Sequence, residues 1–214
     1  MTKPLYPFRF TLYPYIRMDD IEGFILAGGL SSRMGEDKAR LRLDGRTFVE
    51  RAAGALRAVA PRVNIVGTRP GVGGHGLTVV PDVYEGLGAI GGLHAALSAC
   101  AARWAAVVSC DLPFVNGGLF ARLAALRDEE MEAVAPLQED GRPQPLCALY
   151  AAGVCRDAAV ELIRAGELRP RALLKKVRTR WVAFDELSDL EGARLFFTNV
   201  NTPEDYEKAV NREP

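Results

Sequence analysis

The chain has 214 residues, with 27 Lys and Arg against 27 Asp and Glu and so no formal net charge. That length suits one domain with a sizeable core, and the absence of any long block of one sign excludes the basic stripe that general affinity for nucleic acid or an anionic membrane requires. Four cysteines without a CxxC pair, and only two histidines, make neither a zinc site nor a disulfide framework; they fit reduced thiols in a cytoplasmic protein.

Residues 1–20 begin MTKPLYPFRFTLYPYIR, with three prolines and no long apolar run. They read as neither a signal peptide nor a membrane span but as a poorly ordered leader, with a single domain expected over 21–214. IEGFIL (21–26) is a short apolar run followed at once by glycines, as buried parallel strands usually are. Thr47 and Glu50 form a capping box that opens a helix running to about Ala60, where Pro61 stops it. VNIV (63–66) is the next strand, GTRPGVGGHG (67–76) a flexible loop, and LTVV (77–80) a third strand. The glycine-rich 86–92 leads into a helix LHAALSACAA, and AAVVS (105–109) is a fourth strand.

A helix near 117–130, a strand MEAVAP and a hairpin from QEDGRPQP into LCALY follow. Helices near 154–165 and 170–177, a strand at TRWVAF, a short strand FFTNV and a terminal helix complete the order. That last helix is well marked, with Thr202 as N-cap, Pro203 at the first helical position and acidic Glu204 and Asp205 in the first turn. Alternation of strand and helix predicts a three-layer α/β/α architecture around a mostly parallel, Rossmann-like sheet.

In such sheets ligands sit beyond the carboxyl ends of the strands. Four predicted strand ends place glycine or polar residues there: Gly28-Gly29, Asp82, Asp111 and Asn199-Val200-Asn201. The opening loop LAGGLSSRMGEDK (26–38) offers glycines for close backbone approach, the planar donor fork of Arg33 and the mobile charge of Lys38. It is not a Walker A loop, because five residues separate Gly29 from Gly35 and Glu36 stands where that motif has lysine. The bland alternative is a glycine-rich strand exit with two solvated cations.

GLGAIG (86–91) matches GxGxxG, and Asp111 lies twenty residues beyond Gly91, which mimics a dinucleotide fingerprint and an NAD-dependent oxidoreductase. The match fails because PDVYE separates the first glycine from the strand; the stretch reads instead as a flexible loop that lets Asp82 and the following helix line a pocket. Asp111, in SCDLPF, is a lone carboxylate at a rim lined by phosphate-binding donors, which suits Mg²⁺. Its alternative is a cap for the next turn. No GxSxG, HExxH or Cys and His arrangement is present. His94 reads as a helix residue facing its neighbours, Cys110 as packing under the sheet, and Glu129, Glu130, Asp189 and Glu191 as solvated surface.

LAGGLSSRMGEDKARL, VVPDVYEGLGAIGGLHAAL, CDLPF, RPQPLCALY and FTNVNTPED, in that order, resemble the molybdenum cofactor guanylyltransferase family of the GT-A-like nucleotidyltransferases, over about Gly23 to Val210. The resemblance implies transfer of GMP from GTP to the terminal phosphate of molybdopterin, with release of pyrophosphate and Mg²⁺ as cofactor. It implies that Leu26, Ala27, Gly28 and Gly29 hold the nucleotide, Lys38 and Arg33 face its phosphates, Asp82 meets the nucleoside side and Asp111 binds the metal. Gln144, Pro145, Arg169, Asn199 and Asn201 would border the pterin, with Asn201 also approaching the metal. GTP and molybdopterin are then substrates, and other molybdenum cofactor biosynthesis proteins are partners; neither nucleic acid nor a membrane is expected.

Gly88-Ala89-Ile90 departs from a common Gly-Pro-Leu of the family, and Gly67 stands where some relatives have an asparagine that contacts the nucleotide. The implied attacker is a phosphate monoester, largely ionised at neutral pH because its second pKa is about 6, so no general base is required. Two other readings share the pattern: a cytidylyltransferase or sugar-phosphate nucleotidyltransferase, from which Gly29 would set the chain apart, and a non-catalytic nucleotide or cofactor carrier.

Overall fold

The computed structural model describes residues 20–27, 41–67, 76–84 and 86–211. The loop residues Gly28, Gly29, Arg33 and Lys38, the leader up to residue 19 and most of the 67–76 loop lie outside the described residues. The first strand, β1 (Ile21–Leu26), is buried at every position, which explains its nearly continuous apolar sequence. Its side chains alternate between two cores: Ile21 and Ile25 enter one, Phe24 and Leu26 the other.

A two-stranded ribbon, β2 (Arg42–Leu43) and β3 (Arg46–Thr47), leads into α1 (Phe48–Leu56). The ribbon turns at Asp44 and Gly45, both with positive φ. The capping box is present: the Glu50 N–H donates to Thr47 Oγ1 at 3.1 Å, and Glu50 Oε2 accepts from the Thr47 N–H at 2.7 Å. β4 (Val63–Val66) and β5 (Thr78–Val80) precede α2 (Ala89–Ala99); β6 (Trp104–Ser109) precedes α3 (Gly117–Ala125), which Asn116 caps. Then come β7 (Ala133–Pro136), β8 (Cys147–Ala151), α4 (Ala152–Arg164), α5 (Pro170–Lys176), β9 (Thr179–Val182) and α6 (Pro203–Asn211).

The seven-stranded sheet has the order β5-β4-β1-β6-β8-β7-β9. β4, β5 and β6 run parallel to β1, and β9 parallel to β7, while β8 pairs antiparallel with both β6 and β7. Six strands therefore point one way, and the hairpin strand β8 is inserted between β6 and its own partner β7. Helices α1 and α3 pack together over one face, and α2, α4 and α5 over the other, giving the three expected layers. α6 closes one end: Val200 and Ala209 join Leu43 and Phe48 in a small separate core, and the Tyr206 hydroxyl donates to the Arg42 carbonyl at 2.7 Å. Among the described residues no helix is long and apolar enough to cross a membrane.

Two expectations change. FFTNV is not a strand. Gly192 takes a left-handed conformation, a 3-10 turn spans Ala193–Leu195, and Phe196 is fully buried in the α1/α3 core, so the run is drawn inward rather than paired along the sheet edge. α2 starts four residues earlier than the sequence pattern suggests, taking in Gly91 and Gly92. Asp189 is exposed, as expected, and its carboxylate meets the Arg122 guanidinium at 2.8 Å.

Candidate active site at the carboxyl rim

β1 and β6 are neighbours at the centre of the sheet, and the connections leaving them go to opposite sides, one to β4 and the other to β7, so a crevice is expected beyond their carboxyl ends. Leu26 and Ala27 end β1, with Ala27 held by its N–H to the Val66 carbonyl at 3.1 Å. The Cys110 N–H donates to the Leu26 carbonyl at 3.1 Å, which fixes Asp111 one residue beyond the β1 exit. Asp111 is half-buried, and among the described residues its carboxylate makes neither a hydrogen bond nor an ion pair. It is not a helix cap, because Asn116 does that work for α3. Its carbonyl accepts from the Val200 N–H at 3.0 Å, so Asn199 and Asn201, both exposed, arrive at the rim without a strand to carry them.

The antiparallel direction of β8 brings its leading residues to this same rim. The Ser109 N–H donates to the Leu146 carbonyl at 2.8 Å, and the Gln144 N–H to the Pro136 carbonyl at 3.0 Å. The Pro145 carbonyl accepts from the buried Tyr150 hydroxyl at 2.6 Å. Gln144 and Pro145 are thereby placed beside the β6 exit, with Gln144 buried. Arg169 is different: it lies in the α4–α5 connection, not at a strand end, and its exposed guanidinium bonds Glu167, whose pKa that contact lowers to about 2.

Asp82 follows edge strand β5, yet Asp82, Tyr84 and Leu87 lie against the start of α2. The Tyr84 N–H donates to Asp82 Oδ1 at 3.2 Å, a local turn. Gly86 and Gly88 have positive φ, and Gly91 is required by contact: a Cβ there would lie 2.9 Å from the Tyr84 carbonyl oxygen and 3.3 Å from Asp82 Oδ1. A Cβ on Gly92 would lie 3.9 Å from Leu26 Cδ2. Of the GLGAIG glycines, Gly86 and Gly88 thus serve the positive φ of the turn, and Gly91 lets Asp82 and Tyr84 lie close against the start of α2. Strand β5 ends at Val80 and α2 opens at Ala89, so the strand-to-helix turn of a dinucleotide fingerprint is not formed.

His94 sits beneath this segment, a role that spacing alone did not assign. Its ring meets Tyr84 edge-on with centroids 4.9 Å apart, Nε2 lies 3.3 Å from Ser98 Oγ, and Nδ1 is buried without a hydrogen-bond partner among the described residues. Burial, then the Arg156 charge, hold its pKa below the usual 6.5, with Asp82 acting the other way. The unfolded chain takes up this proton at higher pH than the folded one, so the stability from a neutral His94 is complete above about 6.5 and is lost on acidification toward the folded value. We expect the urea midpoint to fall between about pH 7.5 and 5.5, and to fall less in His94→Gln; equal falls would show that His94 does not carry the acid sensitivity.

Burial pushes the Cys100 and Cys155 thiols up to about 12 and Cys147 higher still, which removes these three as thiolate nucleophiles. Among the described residues no group of three His, Cys, Asp or Glu could hold a metal. A lone, partly buried carboxylate is nevertheless the donor set that suits Mg²⁺, an ion that keeps its waters and completes its shell with phosphate oxygens.

Residues 23–181 match the MobA-like NTP transferase domain. A probable molybdenum cofactor guanylyltransferase of Pelotomaculum thermopropionicum is 38% identical over 188 residues, covering 87% of this chain and 90% of that protein. Among solved structures, molybdopterin-guanine dinucleotide biosynthesis protein A from Archaeoglobus fulgidus superposes with a TM-score of 0.72 at 24% identity, over 89% of this chain and 97% of that one. The 2-C-methyl-D-erythritol 4-phosphate cytidylyltransferase of Thermus thermophilus superposes with a TM-score of 0.65 at 22% identity, over 90% and 98%. At such identities the two structures share the fold, and a fold does not select a nucleobase.

Proposed function

Because this chain belongs to the MobA-like NTP transferase domain family, we propose that it transfers GMP from GTP to the terminal phosphate of molybdopterin, giving the guanine dinucleotide form of the cofactor and pyrophosphate. The observation that carries this reading is the convergence on one rim of Ala27, Asp111 and the Asn199–Asn201 segment, tied by the Cys110–Leu26 and Val200–Asp111 hydrogen bonds.

In this reading Leu26, Ala27, Gly28 and Gly29 line the nucleotide, Asp82 faces its nucleoside side, and Arg33 and Lys38 meet the triphosphate. Gln144, Pro145, Asn199 and Asn201 border the acceptor, with Arg169 at its outer edge. An oxygen of the acceptor phosphate attacks the α-phosphorus, and the bond to the β-bridging oxygen breaks as pyrophosphate leaves. The attacking monoester is already ionised, so the residues need only bring two anions together in line. Asp111, with Asn201 beside it, would hold Mg²⁺; when bound, the ion offsets the charge of the phosphates. Four free thiols support a cytoplasmic setting.

Purified chain incubated with GTP, MgCl₂ and molybdopterin is expected to release pyrophosphate, at least about tenfold faster than with CTP. Parity or a preference for CTP would overturn the guanylyl assignment in favour of a cytidylyltransferase. Silence with both nucleotides would leave a carrier.

A further inference from the structure

A cavity of about 420 Å³ opens over the half of the sheet beyond β6, within the ~300–1,000 Å³ of ordinary small-ligand sites. Glu139 and Asp140 reach it from the β7–β8 turn, Phe184 from the turn after β9, and Arg194, Phe197 and Thr198 from the segment leading to Asn199. β7 and β9 run in parallel, with the Leu137 N–H donating to the Val182 carbonyl at 2.8 Å, so both turns leave the carboxyl rim. Thr198 lies two residues before Val200, whose N–H is bonded to the Asp111 carbonyl. Asp111 therefore stands between the β1 exit and this cavity.

The lining has an unusual charge pattern. Asp140 is taken by Arg142 at 2.6 Å. Glu139 and Arg194, by contrast, have neither a hydrogen bond nor an ion pair among the described residues, although both line one cavity. Phe184 and Phe197 are half-buried and line the same cavity. A carboxylate and a guanidinium left apart over aromatic walls match a flat heterocycle that presents two donors and an acceptor in a row. A 2-amino-4-oxopyrimidine does this through its amino group, its ring N–H and its carbonyl oxygen. Pterin and guanine both carry that edge.

We propose that this cavity receives the pterin end of the acceptor, with Glu139 accepting from the amino group and ring N–H, Arg194 donating to the ring carbonyl, and Phe184 and Phe197 packing on the bicyclic face. The choice of pterin over guanine rests on the transfer reading above and on the cavity's place beyond Asp111, away from β1, β4 and β5. Glu139 is thus a specificity-determining residue for the acceptor and takes no part in bond making.

The test titrates the full chain with 6-hydroxymethylpterin, followed by its fluorescence, and separately measures KM for GTP and for molybdopterin from pyrophosphate release. Glu139 is exposed and its side chain holds nothing, so Glu139→Gln folds as the parent does; Arg194→Ala is the second variant. Glu139→Gln is expected to weaken pterin binding and raise the molybdopterin KM about tenfold or more, with the GTP KM and kcat within about twofold of the parent. A raised GTP KM with pterin binding untouched would overturn the proposal, since the cavity would then read guanine. Unchanged constants in both variants, with normal parent turnover, would also overturn it while leaving the transfer reading intact. If the parent released no pyrophosphate the transfer reading would fall, and the pterin titration would decide the cavity alone: a Kd unmoved by Glu139→Gln rejects it, and a weakened one supports it.

Discussion

Replacing Asp111 by Asn is expected to lower kcat for GMP transfer by about 10²–10³-fold, with the melting temperature unchanged. The two halves of this expectation come from different atoms of one residue. The carboxylate is half-buried and makes no hydrogen bond or ion pair among the described residues, so its loss removes no structural contact. The carbonyl is what anchors Val200 at 3.0 Å, and the substitution keeps it. Asparagine also keeps the shape of the side chain and one oxygen, so what disappears is one negative charge at the place where phosphates and a hard cation are proposed to meet. If that charge holds the ion, raising MgCl₂ should restore part of the turnover. Turnover like the parent's would remove Asp111 from the mechanism, and a clear fall in melting temperature would make it a structural residue instead.

The sequence made the layers legible wherever burial and period coincide. β1, β4 and β6 are buried at every position and read as largely apolar runs, interrupted by Glu22 and Asn64, while Thr47 and Thr202 mark helix starts by side-chain caps that the structure contains. The hairpin was visible as well, but not its place in the sheet: nothing local says that β8 will slip between β6 and β7, since that depends on which strand edge is free when the hairpin docks. The FFTNV segment failed for a related reason. Its composition is that of a strand, yet Phe196 finds a better site in the core than any edge pairing would give it.

At the site, Asp82 and Asp111 could be placed at strand ends by counting. Tyr84, Gly91 and His94 could not, because their tasks are contacts: a carbonyl pressed on a helix, a missing side chain and a buried ring. The signal available was the doubled glycine at 91–92, which costs helix propensity and so asks for a reason. The Glu139 and Arg194 pair left no trace in sequence, being 55 positions apart and joined only by two turns meeting over one rim.

The residue that periodicity passed over entirely is Glu22, inside the run IEGFIL. A charge within a buried strand is costly unless it is paired, and here Glu22 is 6% exposed with its oxygens occupied. Oε2 accepts from the Ala101 N–H at 2.8 Å, Oε1 from the Asn64 amide at 3.0 Å, and Arg62 Nε lies 3.9 Å away. Glu22 therefore joins β1 to β4 and to the turn between α2 and β6, three segments that must be in register for the rim above them to form. Glu22→Ala removes two charge-assisted bonds and leaves the Asn64 amide with only the long contact to the Gly23 carbonyl at 3.4 Å. We expect a loss of about 3 kcal/mol, read as a melting temperature lower by roughly 6–12 °C. Glu22→Gln, which keeps an acceptor for Ala101, should lose about half as much. Glu22 lies near the amino end of β1, away from the exit at Leu26, so folded Glu22→Ala should keep the parent's kcat and KM for both substrates at low temperature. A normal melting temperature with impaired kinetics would reverse that assignment and connect this buried carboxylate to the chemistry at the opposite rim.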